Sequence, residues 1–372
     1  MSTASPMERR RGTRRPRAAL GLVASLAAVA LAACGSSGGG AASANSGTGT
    51  GSSSSAAVDL SGLTLKVGVS GGSAAFTVSN FRGSGVIDKL PFKVEWVAFP
   101  DSPRVLQAVQ SGVVDTSSLI GDVSLPLAAS GLPEGGKLPV KVVGAVQPAN
   151  AKEHAALTVV ANPKAGINSI SDLRGHSISY ITGGWPQSVL AALLKEAKLT
   201  PKDVKLVPLT GQAQLAAFQS GKVDVSIASI VQIQPAVDAI GAKTIWDSTR
   251  AGTPTVTFSY ATDKRLADAR YSAAIGGFVK AQAEAQAWNA LHPEDLAKAL
   301  MTDLHFPEKT AQASAVVQNQ GVPIDAALIA AEQAQADDLH KAGFIPRTVD
   351  LAPYFDNRYD SLVTSVPRLP QS

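Results

Sequence analysis

Four short loops carry the residues best suited to grip a small molecule: Ser70 to Ser73, Gly121-Asp122, Thr182 to Trp185, and Ala228-Ser229. Each follows a predicted strand, and ligands of open α/β sheets bind beyond the carboxyl ends of strands, beside helix N-termini. Glycine there lets a ligand approach the backbone, and the unbonded N–H groups of a helix start favour an anion. The candidate ligand-binding residues are therefore Ser70, Ser73, Gly121, Asp122, Gly183, Gly184, Trp185 and Ser229. Trp185 offers a ring for an apolar part of the ligand. Asp122 repels an anion, so it either accepts from a ligand amine or braces its loop. Gly and Ser are also ordinary residues of strand-to-helix turns, which leaves a purely structural reading open for each loop.

Covalent chemistry finds less support. Gly68-Val69-Ser70-Gly71-Gly72 fits the Gly-x-Ser-x-Gly pattern of a nucleophile elbow. It sits on the first strand of the domain, where no earlier strand supplies the second oxyanion donor. His154, His176, His292, His305 and His340 are scattered, with no acid–His pair among them. There is no His-x-His and no Cys pair for a metal, and Glu294-Asp295 and Asp337-Asp338 read as solvated helix faces. Neither a P-loop nor Gly-x-Gly-x-x-Gly occurs. The chain reads as a binding protein, not an enzyme, without metal or cofactor.

The elements that must position these loops repeat. Leu106-Gln107-Ala108-Val109-Gln110-Ser111-Gly112-Val113-Val114-Asp115 returns as Leu215-Ala216-Ala217-Phe218-Gln219-Ser220-Gly221-Lys222-Val223-Asp224. Each copy reads as a helix end, a Gly stop and a buried strand. One repetition at this distance is too sparse for a solenoid, whose periods run roughly 20–50 residues; it suits two similar α/β lobes around a cleft. Strands are predicted at 63–69, 92–97, 113–120, 140–146, 157–160, 177–181, 204–208 and 223–227, and helices at 103–110, 185–197 and 212–220. Alanine-rich helices dominate after Asp268. The alternation predicts parallel sheets in both halves.

The N-terminal stretch reads as targeting. Six arginines between Arg9 and Arg17 precede an apolar run from Ala18 to Leu31, shorter than the ~20 residues of a membrane-spanning helix. Leu31-Ala32-Ala33-Cys34 resembles the lipobox of bacterial lipoproteins, in which the Cys is acylated; Cys34 is the single Cys of the chain. Residues 1–33 read as a signal peptide and 34–59 as a Gly/Ser-rich tether too poor in apolar residues to fold. The leader carries six Arg and one Glu, so a chain of +4 overall leaves −1 for the rest. A near-neutral domain without a basic stripe argues against nucleic acid.

Val94 to Phe99, Arg104 to Ala108 with Ser111 to Asp115, Gly121 to Pro126, Ser169 to Gly175, Thr182 to Gly184, Trp288 to Glu294 and Lys341 to Pro346 together resemble the solute-binding proteins of ABC importers for aliphatic sulfonates, taurine and nitrate. The resemblance implies a two-lobed α/β periplasmic-binding-protein fold of class II, with a parallel or mixed sheet in each lobe and two hinge crossings. It places lobe one at 60–154 plus 256–372 and lobe two at 155–255. It also implies a lipid-anchored monomer at the extracytoplasmic face of the cell membrane, closing on a small anion or zwitterion and delivering it to a permease and its ATPase. Ser73, Gly121, Asp122 and Gly183 to Trp185 fall on the family's ligand turns. After the second Val-Asp many members run Ala-Trp-x-x-Trp-Asp/Glu-Pro, where this chain has Ser229 and Ile230 in the second Trp and acidic places. The site is thereby roomier and less charged. An aliphatic sulfonate is the leading ligand; nitrate, taurine or a thiamine-precursor pyrimidine are alternatives, as is an enzyme or sensor without transport.

Overall fold

The computed structural model describes residues 58–71, 75–252 and 255–368. The expected leader, nearly all of the expected tether, Cys34 and Ser73 lie outside the described residues. Leu65, Val67 and Val69 are fully buried, and their alternation makes β1 (Thr64–Ser70) a strand. After it come α1 (Ala75–Arg82), β2 (Lys93–Phe99), α2 (Ser102–Gln110), the short β3 (Thr116–Ser117) and β4 (Ile120–Gly121), α3 (Ser124–Ser130) and β5 (Val140–Pro148). A second group follows: β6 (Leu157–Ala161), β7 (Ser177–Tyr180), α4 (Trp185–Glu196), β8 (Lys205–Pro208), α5 (Gly211–Gln219), β9 (Val225–Ser229), α6 (Ile230–Ile240) and β10 (Lys243–Asp247). The chain then returns through β11 (Thr257–Thr262), α7 (Asp263–Ala267), α8 (Ala269–Leu291), α9 (Pro293–Leu304), α10 (Glu308–Ala315), β12 (Asn319–Val322), α11 (Ala326–Lys341) and α12 (Asp360–Thr364).

Two sheets result, one per lobe. The first has the order β12-β5-β11-β3-β1-β2 with β4 beside β11; the second runs β10-β6-β9-β7-β8. Each is buried on both faces. In lobe one, Phe81, Trp96 and Phe278 pack on one face, and Leu106, Phe258 and Tyr260 on the other. In lobe two, Ile178, Leu190 and Trp246 cover one face and Phe218, Val223 and Ile233 the other.

The sheets are mixed rather than parallel throughout. Every antiparallel pair involves β5, β6, β10 or β11, the strands that flank the two crossings. A strand carrying the chain to the other lobe runs against its neighbours, whereas strands linked through helices return parallel. The expected strand over 113–120 is broken into β3 and β4, because Leu119 adopts φ 54°. Strands β10, β11 and β12 are additions to the sequence reading.

The duplicated phrase has one structural meaning in both lobes. Helices α2 and α5 end in the same motif: Gly112 (φ 74°) and Gly221 (φ 76°) turn left-handed, and the next N–H reaches back to Ala108 O and Ala217 O. The Asp that follows then accepts an N–H of a neighbouring strand's start. Asp115 Oδ2 takes the Lys66 N–H at 2.8 Å, and Asp224 Oδ2 takes the Ser177 N–H at 2.8 Å. Arg265 further pairs with Asp115 at 2.6 Å.

Candidate functional site

The candidate residues divide between two places. Gly121, Asp122, Gly183, Gly184 and Trp185 meet at a seam where α4 of lobe two lies on the β4–α3 loop of lobe one. A Cβ on Gly121 would fall 2.3 Å from Gly184 Cα, and one on Gly183 would fall 2.4 Å from Pro103 Cγ. The two backbones therefore approach as closely as they do because neither side carries a side chain. Ser124 Oγ donates to Gly183 O at 2.5 Å, and the Gly121 N–H donates to Ser102 Oγ at 3.2 Å.

The start of α4 is occupied by its own residues. Gly183 N–H donates to Gln187 Oε1 at 2.8 Å, Gln187 N–H to Gly184 O at 2.8 Å, and Pro186 contributes no N–H. The Trp185 indole is half-buried and its Nε1–H donates to Val256 O, in the second crossing, at 2.7 Å.

Asp122 is fully buried in the same seam. Its Oδ1 accepts the Val123 N–H at 2.8 Å, its Oδ2 accepts Gln335 Nε2 at 2.8 Å, and the Ser188 hydroxyl of α4 also reaches it. This is the geometry of a loop brace. Burial pushes the Asp122 carboxyl up to about 7, against the pull of those hydrogen bonds. Glu332 lies close by on α11; burial first, and then the Asp122 charge, hold its carboxyl well above the usual range. Tyr260 Oη, Glu332 Oε1 and Gln335 Oε1, all buried, find no hydrogen-bond partner among the described residues.

The second place is a cavity of about 720 Å³ between the lobes, at the carboxyl ends of strands from both sheets. Gly71 and Pro100 bring it the ends of β1 and β2; Thr210 to Leu215 bring the entry of α5; Ala228, Gln232 and Ile233 bring the end of β9 and the start of α6. Phe306, between α9 and α10, contributes an aromatic face, and α10 packs against α6. Ser70 and Ser229 stand one residue from the lining residues Gly71 and Ala228. Thr210 and Ser229 are the N-cap residues of α5 and α6, and neither caps its helix with a side-chain hydrogen bond. Gln214 fixes the start of α5 to β9 by donating to Ile227 O at 2.9 Å. Among the described residues that line this cavity none is charged. It offers helix-start N–H groups, amides, a hydroxyl and apolar faces.

Sequence reasoning passed over Thr210, Gly211, Gln212, Gln232, Pro100 and Phe306. Thr210-Gly211 after β8 repeats the Thr182-Gly183 pattern after β7, so the strand-end rule contained the signal. Phe306 carried none: it reaches the cleft from a turn in which His305 adopts φ 53°.

A further cavity of about 710 Å³ is lined by α4, α11 and the crossing at Arg250 to Gly252. Its rim charges pair with one another, Lys195 with Asp338 at 3.1 Å and Arg250 with Glu196. Among the described residues no group of three or more His, Cys, Asp or Glu is placed to hold a metal ion, and no helix is long and apolar enough to cross a membrane.

The model of the NMT1/THI5-like family matches residues 93–296, more than half of the chain. An Escherichia coli protein named for binding aliphatic sulfonates is 29% identical over 170 residues, 45% of this chain and 50% of that protein, so the match spans about half of each. Among solved structures, the alkanesulfonate-binding protein SsuA of Xanthomonas axonopodis pv. citri, bound to MOPS, superposes with a TM-score of 0.69 at 20% identity, covering 80% of this chain and 99% of that one. The aliphatic sulphonate-binding protein SsuA of Escherichia coli superposes at 0.64 with 23% identity, covering 78% and 91%. This likeness establishes the two-lobed binding-protein fold.

Proposed function

From the premise that the chain belongs to the NMT1/THI5-like family, we propose that it is the solute-binding component of an ABC importer, and that it holds a small organic anion of the aliphatic sulfonate kind between its lobes. The observation that carries this reading is the uncharged cavity of about 720 Å³ at the strand ends of both sheets, with two uncapped helix starts facing it. A sulfonate oxygen accepts from the first-turn N–H groups of α5 and α6, while Pro100, Ile233 and Phe306 take the apolar tail. Micromolar affinity needs only about −8 kcal/mol, which a few charge-assisted hydrogen bonds and some apolar burial supply.

The same proposal makes Cys34 the acylated first residue of the mature protein, held at the outer face of the cell membrane by the tether, with a permease and its ATPase as partners. The fit of Ser70 and Ser229 beside the cavity supports them as ligand contacts, and Ser73, three residues beyond Ser70 in the sequence, is proposed with them. Gly121, Asp122, Gly183, Gly184 and Trp185 serve the closed arrangement of the lobes on which those contacts depend.

Calorimetric titration of the protein, refolded to strip any carried ligand, tests the ligand. Saturable micromolar binding of an alkanesulfonate is expected. Binding of nitrate, taurine or an aminopyrimidine in its place, or silence across the panel with the protein folded, overturns the sulfonate reading. For the anchor, Cys34→Ala is expected to move the protein from the membrane fraction to the soluble one.

A further inference from the structure

Helices α9 and α10 form a hairpin with a small core of its own. Leu296, Leu300, Ala311 and Ala315 are buried in it, apart from the cores of the two lobes. One side of the hairpin is fixed to lobe one, where α9 packs against α1. Asp303, in the last turn of α9, accepts the Ser79 hydroxyl on Oδ2 at 2.8 Å and pairs with Arg82 through Oδ1 at 2.8 Å. The Asp303 side chain is only 10% exposed, so water competes little for it. The other side leans on lobe two, where α10 packs against α6. Between the two helices the chain turns sharply: His305 adopts φ 53°, the Phe306 N–H reaches back to Leu300 O, and Pro307 donates no N–H. Phe306 packs on the hairpin core and lines the cleft cavity, the one aromatic among the described lining residues. Lobe one brings Gly71, Pro100 and Phe306 to that lining. Gly71 has no side chain and Pro100 a fixed ring, so among them Phe306 sets how far the cavity runs. The helix starts of α5 and α6 both belong to lobe two. A head group held on them leaves the tail for what lobe one supplies.

We propose that Phe306 determines the length of apolar tail the cleft accepts, and that Asp303 is the positioning residue that fixes the hairpin carrying it. This length limit rests on the sulfonate reading of the cleft and adds to it the choice among sulfonates. Each methylene that a tail buries raises affinity about fourfold. The gain continues until the tail meets the ring, and a further methylene must then push the ring aside. Behind the ring lies the hairpin core, tied to α1 through Asp303 and seated on α6, so the ring has little room to yield. Affinity therefore climbs with chain length, stops, and falls.

Calorimetric titration of the refolded protein with linear alkanesulfonates, from methanesulfonate to decanesulfonate, tests this, with circular dichroism to establish that each variant is folded. A best length is expected in the wild type. Phe306→Ala is expected to move it up by about two methylenes, each worth about fourfold, and to change methanesulfonate binding little. Phe306→Trp is expected to move it down, and Asp303→Ala to flatten the profile. A wild-type affinity that rises throughout the series overturns the length limit, whether or not the variants fold. A best length unmoved in the folded Phe306 variants, or one common factor lost across the series, overturns it and leaves the sulfonate reading intact. A wild type that binds no sulfonate overturns that reading and the length limit with it. A profile as sharp in folded Asp303→Ala as in the wild type overturns the role of Asp303.

Discussion

Gly121 and Gly184 show how much one absent methyl group decides. A Cβ at 2.3 Å from a backbone carbon is not relieved by a rotamer, so Gly121→Ala must part the two lobes locally. Because the clash lies between lobes and not within either sheet, closure should bear most of the effect. Ligand affinity is expected to fall at least tenfold, about 1.4 kcal/mol or more, with the melting temperature nearly unchanged; a large fall in melting temperature at unchanged affinity would contradict this placement. Gln232 tests the other place. In a cavity whose described lining carries no charge, Gln232→Glu sets a carboxylate beside the ligand. An anion should bind at least tenfold more weakly, by titration, and an uncharged ligand should be little affected. At this scale the sequence was half legible. It named loops at strand ends in both lobes, yet which of them face the cleft and which the seam depends on how the lobes dock, and no local pattern encodes that.

The duplicated helix–Gly–Val-Asp unit belongs to the scale of elements. Gly112 and Gly221 occupy left-handed turns with open space where a Cβ would stand or only ordinary contacts, so Ala at either place meets backbone strain and no clash. Each of Gly112→Ala and Gly221→Ala is expected to cost about 1 kcal/mol in denaturant unfolding, and the double variant about the sum, since the two lie in different lobes. Element reading succeeded where burial alternates, as in β1, and where a helix ends on glycine, as in α2 and α5. It failed at β10, β11 and β12. Gln320 and Gly321 have little strand preference of their own; they extend because β5 offers them an open edge. The break at Leu119 was likewise invisible, since a leucine in left-handed conformation is held there by its surroundings.

For the whole molecule, two sets of carboxyls pull stability in opposite directions with pH. The Asp172 and Asp203 carboxyls are held low first by backbone N–H donors, those of Asn168 and Ser169 for the one and of Thr200 for the other. They favour the folded chain above about pH 4 and lose that contribution as acid protonates them. Asp122 and Glu332 are raised, so the folded chain binds protons that the unfolded chain has released, and stability declines from about pH 4 up to about 7 and beyond. The melting temperature should therefore peak at about pH 4, where the two windows meet, and decline toward pH 8. In Asp122→Asn the alkaline decline should be shallower; an identical decline would remove Asp122 from that role.

The order β12-β5-β11 has a consequence in time. Strand β5 bonds to no strand made before it; both its neighbours lie later in the chain, and the second is complete only at Val322. Lobe two, whose strands are all contiguous between Leu157 and Asp247, closes its sheet while β5 still waits with two bare edges. A nascent chain cannot finish its first lobe until its last third has emerged. Until then β5 keeps both edges bare beside a lobe that has already folded, the state in which a nascent chain is most open to pairing with another copy.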